Sequence, residues 1–228
     1  CLAPPGRMDD QFVEKLIRLP VSAPFLPYEA CPDINPLPLK TKKLLTFASF
    51  ARPEKINCFT ANLWCDVLQA IPSSQLLIAG LNPDQWSGAH MQLEKAGVEM
   101  SRVHWEARTD MQSYLTLHHE IDIILDTYPY NGATTSLYGQ WMGVPTLTLT
   151  GETVASRQGA AAMSHVGLDD FITNTPEAFV EKARYWATHE EELATLRANM
   201  RQSIANCTVR SPEAVVATVE RALKQAWE

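Results

Sequence analysis

The stretch "LDTYPYNGATTSLYGQWMGVPTLTLTGETVASRQG", Leu125 to Gly159 of a 228-residue chain, decides how the sequence is read. It is entered through "IDIILD" (121 to 126), an unbroken apolar run of strand length. The run stops at Pro-Tyr-Asn-Gly, residues that favour a turn, and a helix pattern begins at about Thr134 and runs to Met142. "PTLTLT" reads as the next strand, and about Val154 to Val166 as the next helix. A strand, a polar loop and a helix, twice over, is the unit of a parallel sheet.

The same alternation extends outward. Upstream, "KLLTFASF" (43 to 50) and "QLLIAG" (75 to 80) read as strands on either side of a helix over 57 to 71, with Phe59, Leu63, Val67 and Ile71 four apart. "HMQLEKAG" reads as a helix ending at Gly97, "RVHWEA" as a short strand and "DMQSYLTLHHE" as a helix. The strands are continuously apolar and do not alternate, as expected when both faces of a sheet are covered. The fold class predicted is α/β, a Rossmann-like doubly wound parallel sheet, with extra C-terminal helices. Two of those open with Thr or Ser, then Pro, then Glu ("TNTPEAFVEKARYWAT" and "RSPEAVVATVERALKQAW"), which is a helix start signal. "HEEELATLRANMRQSI" is a third, and Val215, Val219, Leu223 and Trp227 mark one stripe on the last. Residues 1–43 are proline-rich and read as an extended arm packed on the body, with one short helix from about Asp9 to Arg18. Residues 44–228 form the domain proper.

Composition narrows the function. A net charge of -7 repels polyanions, so neither nucleic acid nor an anionic membrane is an expected partner. The sequence lacks an apolar run long enough to span a bilayer and a signal-peptide pattern at its start, so a cytoplasmic location is the default expectation. Five cysteines, Cys1, Cys31, Cys58, Cys65 and Cys207, are odd in number and scattered, which suits reduced thiols. Cys58 and Cys65 lie seven apart without a further ligand at metal-binding spacing, so no metal site is expected. The first residue is cysteine, not methionine, which suggests a piece of a longer chain.

Ligands of parallel sheets bind beyond the carboxyl ends of the strands. The loop from Asp126 to Ala133 is such an end, and the helix after it offers unpaired N–H groups and a positive dipole end to an anion. Gly132 leaves room for a ligand against the main chain, and the Thr134 and Thr135 hydroxyls can donate to phosphate oxygens. Read alone, Asn131-Gly132 is equally well a plain turn and Thr134 an N-cap. A second loop, "ARPEKIN", places Arg52 and Lys55 at the end of another strand, and a third, "TGETVASRQG", gathers Gly151, Thr153, Ser156 and Arg157. Three loops on one rim favour a shared anion site. His118 and His119 read as surface or capping residues, since neighbours on a helix point about 100° apart. His165 reads as a helix C-terminal residue, and Tyr130 as loop packing with base stacking as the alternative.

The motifs "PYNGATT", "WMGVPTLTLTGET.ASR" and "GL..FI", preceded by "FASF....KIN..T..LW...L...P.SQLLI", resemble the catalytic C-terminal half of the O-linked N-acetylglucosaminyltransferases and their SPINDLY-type relatives, from about Leu44 to Arg197. The resemblance implies the C-terminal lobe of a GT-B glycosyltransferase, which binds a nucleotide-sugar and transfers the sugar to Ser or Thr with inversion, without a cofactor or an obligatory metal. It makes Lys55 the catalytic lysine at the donor diphosphate, Thr134 and Thr135 the pair on that diphosphate, and Arg52, Asn131 and Gly132 donor-site neighbours. Ala133 stands where animal members have histidine. Tyr138 stands where an acidic ribose ligand is expected, and Glu152 is a candidate to replace it. The family's acceptor lobe and tetratricopeptide repeats lie outside these residues, so a protein acceptor would be met through parts not present here. Three alternatives remain: UDP-N-acetylglucosamine replaced by GDP-fucose as donor, an inert interaction domain that has lost donor binding, and a nucleotide-sugar epimerase.

Overall fold

A computed structural model describes residues 2–21 and 24–227. Six parallel strands form one sheet in the order β3-β2-β1-β4-β5-β6. They are β1 (Leu45–Ser49), β2 (Ser74–Leu81), β3 (Val103–Ala107), β4 (Ile123–Leu125), β5 (Thr146–Leu149) and β6 (Ile172–Thr173). The chain starts near the middle, winds out to β3, returns to β4 beside β1 and winds out the other way. The order reverses between β1 and β4, so the loops leaving those two strands diverge and open a crevice.

The helices follow as predicted in kind, with α1 (Pro38–Lys42) added before β1, and α2 (Cys58–Ala70), α3 (Trp86–Lys95), α4 (Met111–Leu117), α5 (Thr134–Trp141) and α6 (Gln158–Ser164) between strands. Three more, α7 (Pro176–Thr188), α8 (Glu190–Ala205) and α9 (Pro212–Trp227), close the chain. The core lies on both faces of the sheet: Phe47, Leu76, Ile78, Ile123, Leu125 and Leu147 are buried on one face against Trp64, Val67, Met163 and Phe179 of the helices, and Ala48, Leu77 and Ile124 on the other with Ile121 and Val144. Their continuous apolar character is what the double covering demands. Thr175 caps α7 by accepting from the Ala178 N–H at 3.2 Å, as its Thr-Pro-Glu opening foretold.

Several expectations are corrected. The helix over Asp9 to Arg18 is only a single tight turn, Asp9–Gln11. Val13 and Ile17 are exposed there, so no apolar stripe is buried to stabilise a short helix; Arg18 instead reaches back to the Ala3 carbonyl. The helix over Val154 to Val166 is broken into a turn at Ala155–Arg157 and α6. Strand β6 is two residues long and was not anticipated. The α9 stripe is buried at Val215 and partly buried at Val219, while Leu223 and Trp227 are exposed. The four described cysteines are unpaired, and Cys1 lies outside the described residues.

The arm is held by polar as well as apolar contacts. Phe25 packs with Ile204, Val209 and Val215. Arg197 of α8 is 1 % exposed and donates to the carbonyls of Asn35, Ile121 and His118 at 2.9, 2.9 and 3.0 Å. Burial lowers its pKa to about 10, opposed by attraction to Asp122. Asp122 in turn accepts the N–H groups of Leu39 and Thr46. His118, expected as a surface or capping residue, is the C-cap of α4 but is fully buried: its ring stacks on Phe50 at 4.7 Å, and burial lowers its pKa to about 4. His165 is the residue that caps α6 at its C-terminus.

Replacing Arg197 with Met strands three carbonyls and the Asp122 charge in the interior. We expect a loss of about 3 kcal/mol in urea unfolding, whereas exposed Arg184→Ala stays within about 0.5 kcal/mol of the wild type.

Candidate functional site

The loop after β4 is built around one carboxylate. Asp126 Oδ1 accepts from the Gly132 N–H at 2.7 Å and the Thr127 N–H at 2.9 Å, and Oδ2 accepts from the Thr148 hydroxyl at 2.8 Å. These bonds bend the chain from Asp126 round to Gly132 and tie it to β5. A side chain at Gly132 would stand 2.9 Å from Thr135 Oγ1 and 3.4 Å from Asp126 Oδ1, so this glycine is needed for the loop's own packing. Gly159 is tighter still, with its missing Cβ 2.2 Å from Asp126 Oδ2.

The other side of the loop is held by α2. Asn57 caps that helix by accepting the Thr60 N–H at 2.9 Å and donates its amide to the Tyr128 carbonyl at 2.8 Å. The Thr60 hydroxyl also donates to Tyr128 O, at 3.0 Å, and Trp64 Nε1 donates to Asp126 O at 3.2 Å. Residues spaced three and four apart share a helix face, so "N..T...W" is one surface gripping the loop. Helix α2 and the loop after β4 are thereby fixed to each other.

Between them lies a cavity of about 260 Å³, lined on one side by Phe50, Arg52 and Lys55 and on the other by Asp126, Tyr130 and residues 131–136, with Gln158 of α6. Helix α5 begins with Ala133 as its N-cap, without a side-chain cap, and its first backbone bond runs from Leu137 N to Ala133 O. The N–H groups of Thr134, Thr135 and Ser136 therefore have no intrahelical acceptor. Thr134 is the first helical residue and not the N-cap. Across the cavity the half-buried Lys55 ammonium donates to Asn131 O at 2.9 Å and stands 3.7 Å over the Tyr130 ring. Burial lowers its pKa, attraction to Asp126 raises it and nearby Arg52 lowers it. Lys55 is in no ion pair among the described residues.

The remaining candidates fall elsewhere. Asn131 is buried, its amide turned inward to the Thr127 carbonyl at 2.8 Å. Tyr138 lies one turn along α5, outside the cavity, with its ring 5.1 Å from Phe25 of the arm. Glu152 is exposed, ion-paired with Arg7, and its carbonyl accepts from Gln11. In the third loop Thr153 and Ser156 bond to each other, and Arg157 donates to Thr150 Oγ1 and Gly151 O, so these groups shape the loop itself. Asp126, Thr148, Gly159 and the α2 triad went unread as site residues; the spacing of Asn57, Thr60 and Trp64 was their one legible signal. Among the described residues no cluster of three metal-type side chains is present, and no helix is long and apolar enough to cross a membrane.

A sheet ordered 3-2-1-4-5-6 with an uncapped helix start and an unpaired lysine at its switch point defines the class: a Rossmann-like lobe with an anion-ready crevice. The model of glycosyl transferase family 41 matches residues 38–215, and the chain belongs to that family. Tomato and barley proteins described as probable UDP-N-acetylglucosamine–peptide N-acetylglucosaminyltransferase SPINDLY are 28% and 30% identical over 99% of this chain. The chain spans 25% and 24% of their lengths, about a quarter. A mutant of the Thermobaculum terrenum O-GlcNAc transferase superposes with a TM-score of 0.83 at 30% identity, over 99% of this chain and 42% of that one. Anabaena HepE in complex with UDP and glucose, at 15% identity and a TM-score of 0.56 over 83% of this chain and 50% of its own, shares the fold. The family resemblance and the GT-B lobe expected from "PYNGATT" and its neighbours are those found.

Two glycine substitutions separate loop packing from general tolerance. Gly159→Ala forces a methyl into the Asp126–Thr148 contact and is expected to cost about 1–3 kcal/mol in denaturant unfolding. Gly88→Ala in α3 meets no atom within 4 Å and is expected to stabilise by up to about 1 kcal/mol.

Proposed function

We propose that this chain is the donor-binding lobe of an inverting O-glycosyltransferase that transfers N-acetylglucosamine from UDP-N-acetylglucosamine to Ser or Thr of proteins. The observation that carries the reading is the Lys55 ammonium. It is half-buried, has no carboxylate partner among the described residues and faces the free N–H groups at the start of α5 across the cavity. A cation held there with no carboxylate at ion-pair distance among the described residues, and only the longer-range attraction of Asp126, is an arrangement that favours an anionic ligand. Family membership and the activities of the relatives named above favour a nucleotide-sugar as that ligand.

In this reading the diphosphate lies between Lys55 and α5, accepting from the N–H groups of Thr134, Thr135 and Ser136 and from the two threonine hydroxyls, with Arg52 at the rim. The cavity is smaller than the roughly 300–1,000 Å³ of ordinary ligand pockets, so it takes the diphosphate and leaves sugar and base to its edges. As the anomeric bond breaks, negative charge grows on the leaving diphosphate oxygen. Lys55 and the helix N-terminus stabilise that charge more than the ground state, a preorganised effect of about 3 kcal/mol for one well-placed donor. No metal is assigned a part. The acceptor hydroxyl attacks from the opposite face and is presented by segments outside this chain. Tyr138 and Glu152 are left out of direct donor contact by their engagement with the arm.

Calorimetric titration with UDP and GDP tests the proposal. UDP is expected to bind in preference to GDP. Lys55→Ala should weaken it roughly ten- to a hundredfold, the range of one charged hydrogen bond, and Thr135→Ala by about fivefold. Preference for GDP would transfer the assignment to a GDP-sugar such as GDP-fucose, and binding of neither nucleotide would favour an inert domain.

A further inference from the structure

The cavity wall holds a charge of the wrong sign for its ligand. Asp126 lines the cavity and is 6 % exposed, yet it is in no ion pair among the described residues. Only Gly132 separates it from the Thr135 hydroxyl, since the same missing Cβ lies within contact of both. A diphosphate on Thr134 and Thr135 would stand close to this carboxylate in a wall from which water is largely excluded, where like charges repel strongly.

We propose that the donor diphosphate binds together with a proton and that Asp126 is the positioning residue that takes it up. The inference rests on the donor reading above. Its warrant is the asymmetry of the hydrogen bonds. Oδ1 carries both backbone donors, the N–H groups of Thr127 and Gly132, which a neutral acid retains through its carbonyl oxygen. Among the described residues Oδ2 accepts a hydrogen bond only from the Thr148 hydroxyl, at 2.8 Å. A hydroxyl is both donor and acceptor. When Oδ2 is protonated, Thr148 turns to accept from it, and the loop keeps its shape with the charge gone.

The ionisation of Asp126 is already poised for this. Burial raises its pKa to about 6, opposed by the Gly132, Thr148 and Thr127 hydrogen bonds and by Lys55. A bound dianion raises it further. Below about 6 the acid is protonated with and without ligand, and affinity is highest. Above that value affinity falls by up to tenfold per pH unit until the higher pKa of the complex is passed, and then levels. Among the described residues the charge acting on Asp126 is that of Lys55, from the loop after β1, and Arg52 of the same loop lines the cavity. Thr148 of β5, Gly159 of α6, and Thr135 and Ser136 of α5 bring no titrating charge. Lys55 also binds anions less well once deprotonated, so the aspartate must be tested separately.

The experiment is calorimetry of the chain with UDP-N-acetylglucosamine, and with GDP-fucose, in paired buffers of different ionisation heat. The diphosphate of a nucleotide-sugar holds a constant charge through the neutral range, so protons taken up belong to the protein. We expect uptake approaching one proton in the pH unit above about 6. Asp126→Asn, which mimics the neutral acid, should bind without uptake in that window and more tightly than wild type at mildly alkaline pH. Thr148→Val removes a bond to the ionised form and should move the uptake window to higher pH; it carries the test if the asparagine variant fails to fold. Binding by the wild type with no uptake, or the same uptake in Asp126→Asn, overturns the inference while leaving the donor site standing. A chain that binds neither nucleotide-sugar at any pH overturns the donor reading and this inference with it.

Discussion

The Asp126 carboxylate, at the buried end of β4, accepts the N–H groups of Thr127 and Gly132 with one oxygen and the Thr148 hydroxyl with the other. Those three bonds turn the chain back on itself within six residues and hold the turn against β5. Without them the N–H groups of the loop would be unsatisfied in a buried place, and α5 would not begin where its free N–H groups face the β1 loop. Asp126 therefore fixes the position of the helix end on which the proposed anion binding depends. Its charge is the cost of that role, and Lys55 across the cavity partly offsets it.

Around this hub the molecule closes in two directions. Helix α2 presents Asn57, Thr60 and Trp64 to the backbone of Asp126 and Tyr128, so the two loops at the switch point move as one body. Behind the sheet, Arg197 and Asp122 tie the arm and α8 to the chain entering β4. The strand order makes the crevice, the polar contacts set its width, and Lys55 supplies its sign. A sheet of this order is shared by many unrelated activities. Lys55, in no ion pair among the described residues, together with an uncapped helix start on the same cavity, is what favours the proposed anionic ligand.

Much of this was legible in the residues. Continuous apolar runs such as "IDIILD" and "PTLTLT" could only be strands covered on both faces, and Asn-Gly before Thr-Thr marked a turn into a helix. Lys55 and the threonine pair were found because loops after parallel strands converge on one rim. What escaped depends on distant partners. An aspartate at a strand end looks like a solvated residue until Gly132 and Thr148 are brought to it. The burial of the helix-capping His118 was not legible because the ring it stacks on, Phe50, comes from the loop after β1. Gly132 was singled out as room for a ligand; the structure adds a packing reason, since its missing side chain also makes room for Thr135 and Asp126. The Asp9 to Arg18 segment has helix composition but no body to pack on, and tertiary burial is what stabilises so short a helix.

The central claim is that the free N–H groups at the start of α5 bind a diphosphate. It is tested most directly by following backbone amide resonances while UDP is titrated into the labelled chain. The account predicts that the amides of Thr134, Thr135 and Ser136 shift most, with saturation, while the Gly132 amide, already donating to Asp126, stays bonded there. Saturable binding that leaves those three amides unmoved would contradict it.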